Sequence, residues 1–106
     1  MSLHRWDAKR DANEKEIVKT FEGMGISVYR LDKPMDLLLG YKKRNYLVEV
    51  KMPGFLLNKN QVEFVDSWQG QHFVCFTVEQ AEKVGNAIRR GGPSSELCSL
   101  PQCRRQ

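Results

Sequence analysis

A predicted hairpin with charged residues among apolar strand positions constrains this chain most. It extends from Asp36 to Lys51, with an apolar run before the turn-like cluster Gly40 to Asn45 and an alternating segment after it. The alternation has period two, which is typical of a strand and places Glu49 and Lys51 on one face. A carboxylate and an ammonium among apolar strand residues are costly unless they are paired, exposed or bound to a metal. Asp36 is expected near the end of the hairpin to which Lys51 returns.

Helices are predicted before and after the hairpin, and each carries a polar residue at the head of an apolar stripe. Apolar residues at helical spacing predict a helix over about residues 12 to 24, with Glu14 on its apolar face. A second helix is predicted to start between residues 58 and 60 and to end near residue 68, with Gln61 on its apolar face. The alternative explanation for both is a capping box. At the first helix it would pair Asp11 with Glu14, or Asn13 with Glu16; at the second it would pair Asn58 with Gln61.

The remaining segments complete the predicted fold class. Alternating residues predict a strand over residues 26 to 31, and an apolar run predicts another over residues 72 to 78. Thr77 is a candidate N-cap for a last helix over residues 78 to 89. The order α-β-β-β-α-β-α predicts an α/β protein in which helices flank a mixed sheet. Three aromatic side chains are expected in the core rather than in base stacking: Phe64, Trp68 and Phe73.

Length and composition favour one domain. A chain of 106 residues with 41% hydrophobic content suits a single core. Residues 11 to 90 are predicted to form this domain, residues 1 to 10 a charged N-terminal arm, and residues 91 to 106 a flexible basic tail. No apolar run is long enough to span a membrane, and the N-terminus is too charged for a signal peptide, so a cytoplasmic location is expected.

Charge and cysteine content narrow the function only slightly. The net charge is +4; four arginines against Glu96 give +3 for residues 89 to 106, which leaves +1 for the rest. A polyanion such as DNA would therefore bind to local clusters of basic residues, such as Lys42, Lys43 and Arg44 at the hairpin turn. The alternative is that these residues form a solvated turn without a ligand. The cysteines are odd in number and lack metal-ligand spacing, which argues against a disulfide framework or a zinc site: Cys75, Cys98 and Cys103.

Taken together, the polar residues resemble the motif of the PD-(D/E)xK nuclease superfamily. Asp36 matches the upstream acid, Glu49-Val50-Lys51 the strand motif, Glu14 the acid of the first helix and Gln61 the later helix glutamine. The resemblance covers roughly residues 11 to 84 and is strongest to VRR-NUC domains of small phage and prophage proteins and to archaeal Holliday junction resolvases. One departure concerns loop geometry: the proline that usually precedes the first strand acid stands two positions before Asp36.

The resemblance implies a restriction-endonuclease-like core and metal-dependent hydrolysis of DNA phosphodiesters. Asp36 and Glu49 would ligate Mg²⁺ or Mn²⁺, with the backbone carbonyl of Val50 as a third oxygen and Glu14 as a ligand of the same or a second ion. Such an ion activates water and neutralises charge on the phosphate.

The resemblance also implies roles for two further side chains and a quaternary state. Lys51 would orient the attacking water or stabilise charge in the transition state, and Gln61 would position Lys51 or the phosphate. The implied protein is a homodimeric, bacterial or phage-encoded endonuclease, with branched DNA as one substrate class.

Other interpretations of the same residues stay open. Glu49 and Lys51 would form an exposed ion pair on an edge strand, worth about 0–1 kcal/mol, and Asp36 would merely open a strand. At the level of function, a non-catalytic DNA-binding module on the same fold would use the tail arginines for phosphates. An interaction protein without a nucleic-acid role is the third option.

Overall fold

The computed structural model of the chain describes residues 12–91. Helices and strands follow one another in the predicted order, and the protein is an α/β protein with a mixed sheet. The elements are α1 (Glu14–Gly23), β1 (Ser27–Arg30), β2 (Leu37–Tyr41), β3 (Arg44–Val50), α2 (Lys59–Ser67), β4 (His72–Cys75) and α3 (Val78–Arg89).

Two predicted segments lie outside the described residues: the N-terminal arm, residues 1 to 10, and the basic tail beyond residue 91. Cys98 and Cys103 belong to that tail. Cys75 lies in β4 and is fully buried, as expected for a small apolar side chain. Within residues 12–91, no helix is both long and apolar enough to cross a membrane.

The sheet has four strands in the order β1-β2-β3-β4. The first three pair in antiparallel fashion, and Leu37 of β2 lies opposite Val48 of β3. β3 and β4 are parallel, with Val50 opposite Cys75, and α2 lies in the connection between them. β3 therefore has a hydrogen-bonded neighbour on each side. The interpretation of its segment as an edge strand is wrong.

A tight turn joins β2 to β3. Tyr41 and Arg44 are the last pair of the hairpin, and the two residues between them, Lys42 and Lys43, have φ values of 50° and 68°. Positive φ at both central residues is typical of the two-residue turn whose twist matches that of the flanking strands. The turn is shorter than the predicted cluster of residues 40 to 45, because the outer members of that cluster pair across the strands.

Different helices cover the two faces of the sheet. Tyr46, Val48 and Val50 of β3 pack in a core with α1 and α3, whereas Leu47 packs in a second core with α2. This alternation is the one predicted from period two. The predicted helical stripes bury their central residues in the first core: Ile17, Phe21, Ala81, Val84 and Ile88.

Trp68 is an exception among the predicted core aromatics. Phe73 is buried and Phe64 packs against the second core, but Trp68 is 43% exposed. α2 ends at Ser67, and Trp68 is its C-cap with extended φ and ψ of −75° and 124°. The indole therefore leaves the helical stripe and stacks on Phe64, with 5.1 Å between the ring centroids.

Candidate functional site

Glu49 is a buried carboxylate on a central strand. It is 5% exposed, and its Oε2 accepts a hydrogen bond of 2.7 Å from Nε2 of Gln61. The side chain points to the α2 face because it has the same strand parity as Leu47. An exposed ion pair between Glu49 and Lys51 on an edge strand is therefore wrong as an explanation of these residues.

Gln61 serves the helix and the strand at the same time. Asn58 caps α2, and its Oδ1 accepts a hydrogen bond of 2.8 Å from the Gln61 N–H. Oε1 of Gln61 accepts one of 2.9 Å from the Asn58 N–H, which completes the predicted capping box. The Nε2 group remains for Glu49. The capping box is confirmed, and it also fixes the amide that faces the buried carboxylate.

Asp36 lies where the pairing between β2 and β3 ends. Its Oδ2 accepts a hydrogen bond of 2.8 Å from the backbone N–H of Val50. β2 begins only at Leu37, so the backbone pairing between the two strands stops before Val50. The Asp36 side chain takes the place of a backbone carbonyl as the acceptor for the Val50 N–H. This N–H belongs to the peptide group that joins Glu49 to Val50. The hairpin therefore brings the Asp36 carboxylate to the peptide bond that follows Glu49.

The backbone of Lys51 is held on two sides. Its N–H donates to the carbonyl of Cys75 at 3.0 Å, and its carbonyl accepts from Nδ2 of Asn13 at 3.0 Å. Asn13 Nδ2 also donates to the carbonyl of Phe76 at 2.8 Å. One side chain at the start of α1 therefore joins the ends of β3 and β4. The side chain of Lys51 itself is half-buried.

Asn13 is the site residue whose role the sequence does not reveal. An Asn just before a helix predicts an N-cap, and Asn13 does occupy that position, but its side chain makes no capping hydrogen bond. A capping box between Asn13 and Glu16 is therefore wrong. The backbone of Asn13 is already helical, with φ −82° and ψ −5°, which directs the amide toward the strand ends. Its buried Oδ1 has no hydrogen-bond partner among residues 12–91.

Glu14 is buried, as predicted, but its contact is with an arginine. It is 1% exposed, and its Oε2 lies 3.0 Å from Nε of Arg30. α1 packs on the face of the sheet opposite to α2, so Glu14 and Gln61 approach the sheet from different sides. The alternative capping partner, Asp11, lies outside the described residues. A ligand role for Glu14 stays a prediction.

The donor set of Asp36 and Glu49 suits a hard divalent cation. Mg²⁺ in proteins is commonly held by one or two carboxylates together with water and substrate phosphate, rather than by a complete protein cage. The Asp36 carboxylate accepts from the N–H of the peptide group that follows Glu49, and the Val50 carbonyl is a further oxygen of the right type. Within residues 12–91, no three His, Cys, Asp or Glu side chains form a group that could hold a metal ion.

The predicted DNA contacts of the hairpin turn lie at the opposite end of the sheet. β3 runs from Arg44 to Val50, a span of about 20 Å at roughly 3.3 Å per strand residue. Lys42, Lys43 and Arg44 are all exposed. Their side chains are thus separated from the carboxylates by most of the length of the sheet, and contact with DNA there stays a prediction.

Comparison of the chain with models of known protein families, with curated proteins and with solved structures gives no match. The fold and the contacts described above are therefore the basis for assigning a function.

The hydrogen bond between Gln61 and Glu49 is predicted to contribute to stability separately from the capping box. In Gln61→Glu the side chain keeps an acceptor for the Asn58 N–H but loses the donor and places a second carboxylate against Glu49. We expect a loss of about 1–3 kcal/mol in the free energy of unfolding at pH 7, measured by urea denaturation.

The control for this variant is Asn58→Ala, which removes the cap and keeps the contact with Glu49; it should cost about 1 kcal/mol. Wild-type stability of Gln61→Glu would show that the contact with Glu49 adds nothing to the fold.

Proposed function

We propose that the protein is a divalent-metal-dependent DNA endonuclease with a site of the PD-(D/E)xK type. The observation that carries the proposal is the burial of Glu49 on a central strand, two residues before Lys51. Asp36 contacts the peptide group that follows Glu49. A buried carboxylate is costly unless it is paired or coordinates a metal. Gln61 donates a hydrogen bond of 2.7 Å to this carboxylate. A bound cation would stabilise the ionised form of the carboxylate in this buried position.

In this proposal, Asp36, Glu49 and the Val50 carbonyl hold Mg²⁺ or Mn²⁺, and Glu14 is a ligand of the same or a second ion. The ion would supply Lewis-acid activation of water and neutralise charge on the phosphate. The protein contributes the preorganisation: the Val50 N–H orients the Asp36 carboxylate, and Gln61 Nε2 orients that of Glu49. Hydrogen bonds of this kind to ligand oxygens set their direction.

Lys51 is assigned to the reacting phosphate and water. Its backbone is fixed by hydrogen bonds with Cys75 and Asn13, which limits where the ammonium can reach. The ammonium has three donors and no acceptor, so it can hold the attacking water or compensate charge that builds on the phosphate oxygens. Gln61 is then a positioning residue that acts through Glu49.

The family resemblance supports three further parts of the proposal. These are a restriction-endonuclease-like core, a cytoplasmic protein of bacterial or phage origin, and a homodimer whose paired sites suit branched DNA. Light scattering at working concentration tests the dimer. A monomer would count against paired cleavage of junctions and leave the nuclease chemistry untouched.

The direct test is cleavage by the purified wild-type protein. Linear, nicked, flapped and four-way DNA are incubated with Mg²⁺ or Mn²⁺, and with EDTA as the control. We expect cleavage of at least one substrate with either ion and none with EDTA, because the ion completes the site.

The cationic hairpin turn favours a second candidate function, a DNA-binding module without catalysis. That function predicts salt-sensitive binding and no cleavage with any divalent ion. Binding without cleavage of all four substrates would favour the module and exclude the nuclease. Absence of binding at low salt would exclude both.

A further inference from the structure

We propose that the cleft between the hairpin turn and the end of α3 is a second phosphate-binding site for the DNA substrate. We define the distal cleft by four cations that line it: Lys42, Arg44, Arg89 and Arg90. This inference rests on the proposed function, because the phosphates it binds are those of the DNA that is cut at the other end of the sheet.

The distal cleft is built from two segments that are remote in sequence. Lys42 and Arg44 come from the hairpin, and Arg89 and Arg90 from the C-terminal end of α3. The cavity between them measures about 270 Å³. Among residues 12–91, those that line it include no carboxylate. Four like charges around one concave surface attract a polyanion more strongly than cations spread over the protein surface.

The distal cleft also has a defined shape. Its floor includes Tyr46 and Ile88, each 1% exposed and part of the first core. Nη1 of Arg44 donates a hydrogen bond to the Gly91 carbonyl, which connects the hairpin to the end of α3. Lys42 Nζ lies 5.6 Å from the centroid of the Tyr41 ring, within the range of a cation–π contact. The distal cleft therefore has a buried floor, and contacts within the protein hold Lys42 and Arg44 beside it.

An interaction with the helix dipole accounts for only part of this arrangement. A basic residue in the last turn of a helix is favourable, and Arg89 occupies that turn of α3. The hydrogen bond to the Gly91 carbonyl holds Arg44 at this end of α3, but neither it nor the dipole gives a reason for Lys42 to face the same cavity. A ligand with several negative charges accounts for both segments.

The distance between the distal cleft and the carboxylates determines which phosphate of the substrate the cleft can bind. The cleft and the carboxylates lie at opposite ends of β3, about 20 Å apart by the rise of a strand. Phosphates of one strand of duplex DNA follow one another by about 3.4 Å along the helix axis. The phosphate bound in the distal cleft therefore lies about six nucleotides from the scissile one.

The test compares two double variants that remove the same charge. Lys42→Gln/Arg89→Gln removes two cations of the distal cleft, and Lys19→Gln/Lys83→Gln removes two exposed cations of α1 and α3 outside it. Binding of a labelled 24-base-pair duplex is measured in EDTA by fluorescence anisotropy over a salt series. For the distal-cleft variant we expect the slope of log K against log salt to become shallower by about 2, with affinity at least about tenfold weaker at low salt. The control should keep the wild-type slope.

Two further arms identify the ligand. Wild-type affinity should rise once the duplex is long enough to extend about six base pairs from the carboxylates and so reach the distal cleft. This rise should be lost in the distal-cleft variant. Inorganic phosphate and polyglutamate at matched charge should compete poorly with DNA. Equal slopes for the two double variants, or stronger binding of polyglutamate than of DNA, would overturn the inference.

Failure of the proposed function would leave a different signature. Binding is measured without a divalent ion and is therefore independent of cleavage. If the protein binds DNA through the distal cleft and never cuts it, the nuclease proposal is contradicted and the phosphate-binding site stands. If the wild-type protein cuts DNA and the two double variants bind DNA equally, the nuclease proposal stands and the proposal for the distal cleft is contradicted.

Discussion

Asp36→Asn is expected to abolish metal-dependent cleavage and leave the protein folded. Asn keeps an oxygen that can accept the 2.8 Å hydrogen bond from the Val50 N–H, so the end of the hairpin should hold its shape. The substitution removes the negative charge that would ligate the ion. We expect cleavage to fall about 1000-fold or more, equivalent to roughly 4 kcal/mol of transition-state stabilisation. Affinity for Mn²⁺, measured by electron paramagnetic resonance titration, should fall with it.

The matched control is Asp32→Asn, which makes the same chemical change at an exposed acid four residues earlier. It should retain wild-type cleavage and Mn²⁺ affinity. Circular dichroism and urea denaturation of both variants separate loss of chemistry from loss of fold. Full activity of a folded Asp36→Asn protein would remove Asp36 from the mechanism.

Lys51→Ala is expected to abolish cleavage by a different route. The backbone of Lys51, not its side chain, forms the hydrogen bonds with Cys75 and Asn13, so truncation should leave those bonds in place. Loss of one positioned donor at a reacting centre costs about 100- to 1000-fold in rate. The proposed metal ligands are unchanged, so Mn²⁺ affinity should not fall and should stay within about twofold of the wild-type value, since removal of a nearby cation cannot weaken cation binding.

Lys19→Ala removes an exposed lysine of α1 and should change neither cleavage nor Mn²⁺ affinity. The variants of Asp36 and Lys51 should then separate ion binding from chemistry: we expect Asp36→Asn to lose both, and Lys51→Ala to lose only cleavage. Rapid cleavage by folded Lys51→Ala would show that the ammonium has no role at the phosphate.

Local signals in the sequence predict most of the helices and strands. α3 has the predicted bounds, residues 78 to 89, because Thr77 caps it with a hydrogen bond of 3.1 Å to the Gln80 N–H and its apolar residues keep a regular helical spacing. Period two along β3 likewise predicts which side chains face each helix layer. The capping box of Asn58 and Gln61 is also confirmed. These features depend on residues that are close in the chain.

Features that depend on strand order and on long-range contacts are not predictable in this way. Nothing local indicates that β4 pairs beside β3 and buries Glu49 in the centre of the sheet. The ion pair of Glu14 with Arg30 joins residues of different elements, and the amide of Asn13 reaches carbonyls 38 and 63 residues away. Each contact arises only when α1 packs on the sheet, so the isolated segments carry no signal of it.

The most direct measurement of the central claim is X-ray diffraction from crystals of the protein soaked with Mn²⁺, using the anomalous signal of the ion. We expect an anomalous peak within about 2.0–2.3 Å of carboxylate oxygens of both Asp36 and Glu49, and its loss in Asp36→Asn crystals. No peak at an Mn²⁺ concentration that supports cleavage, or a peak that contacts neither carboxylate, would contradict the assignment of these residues as the metal site.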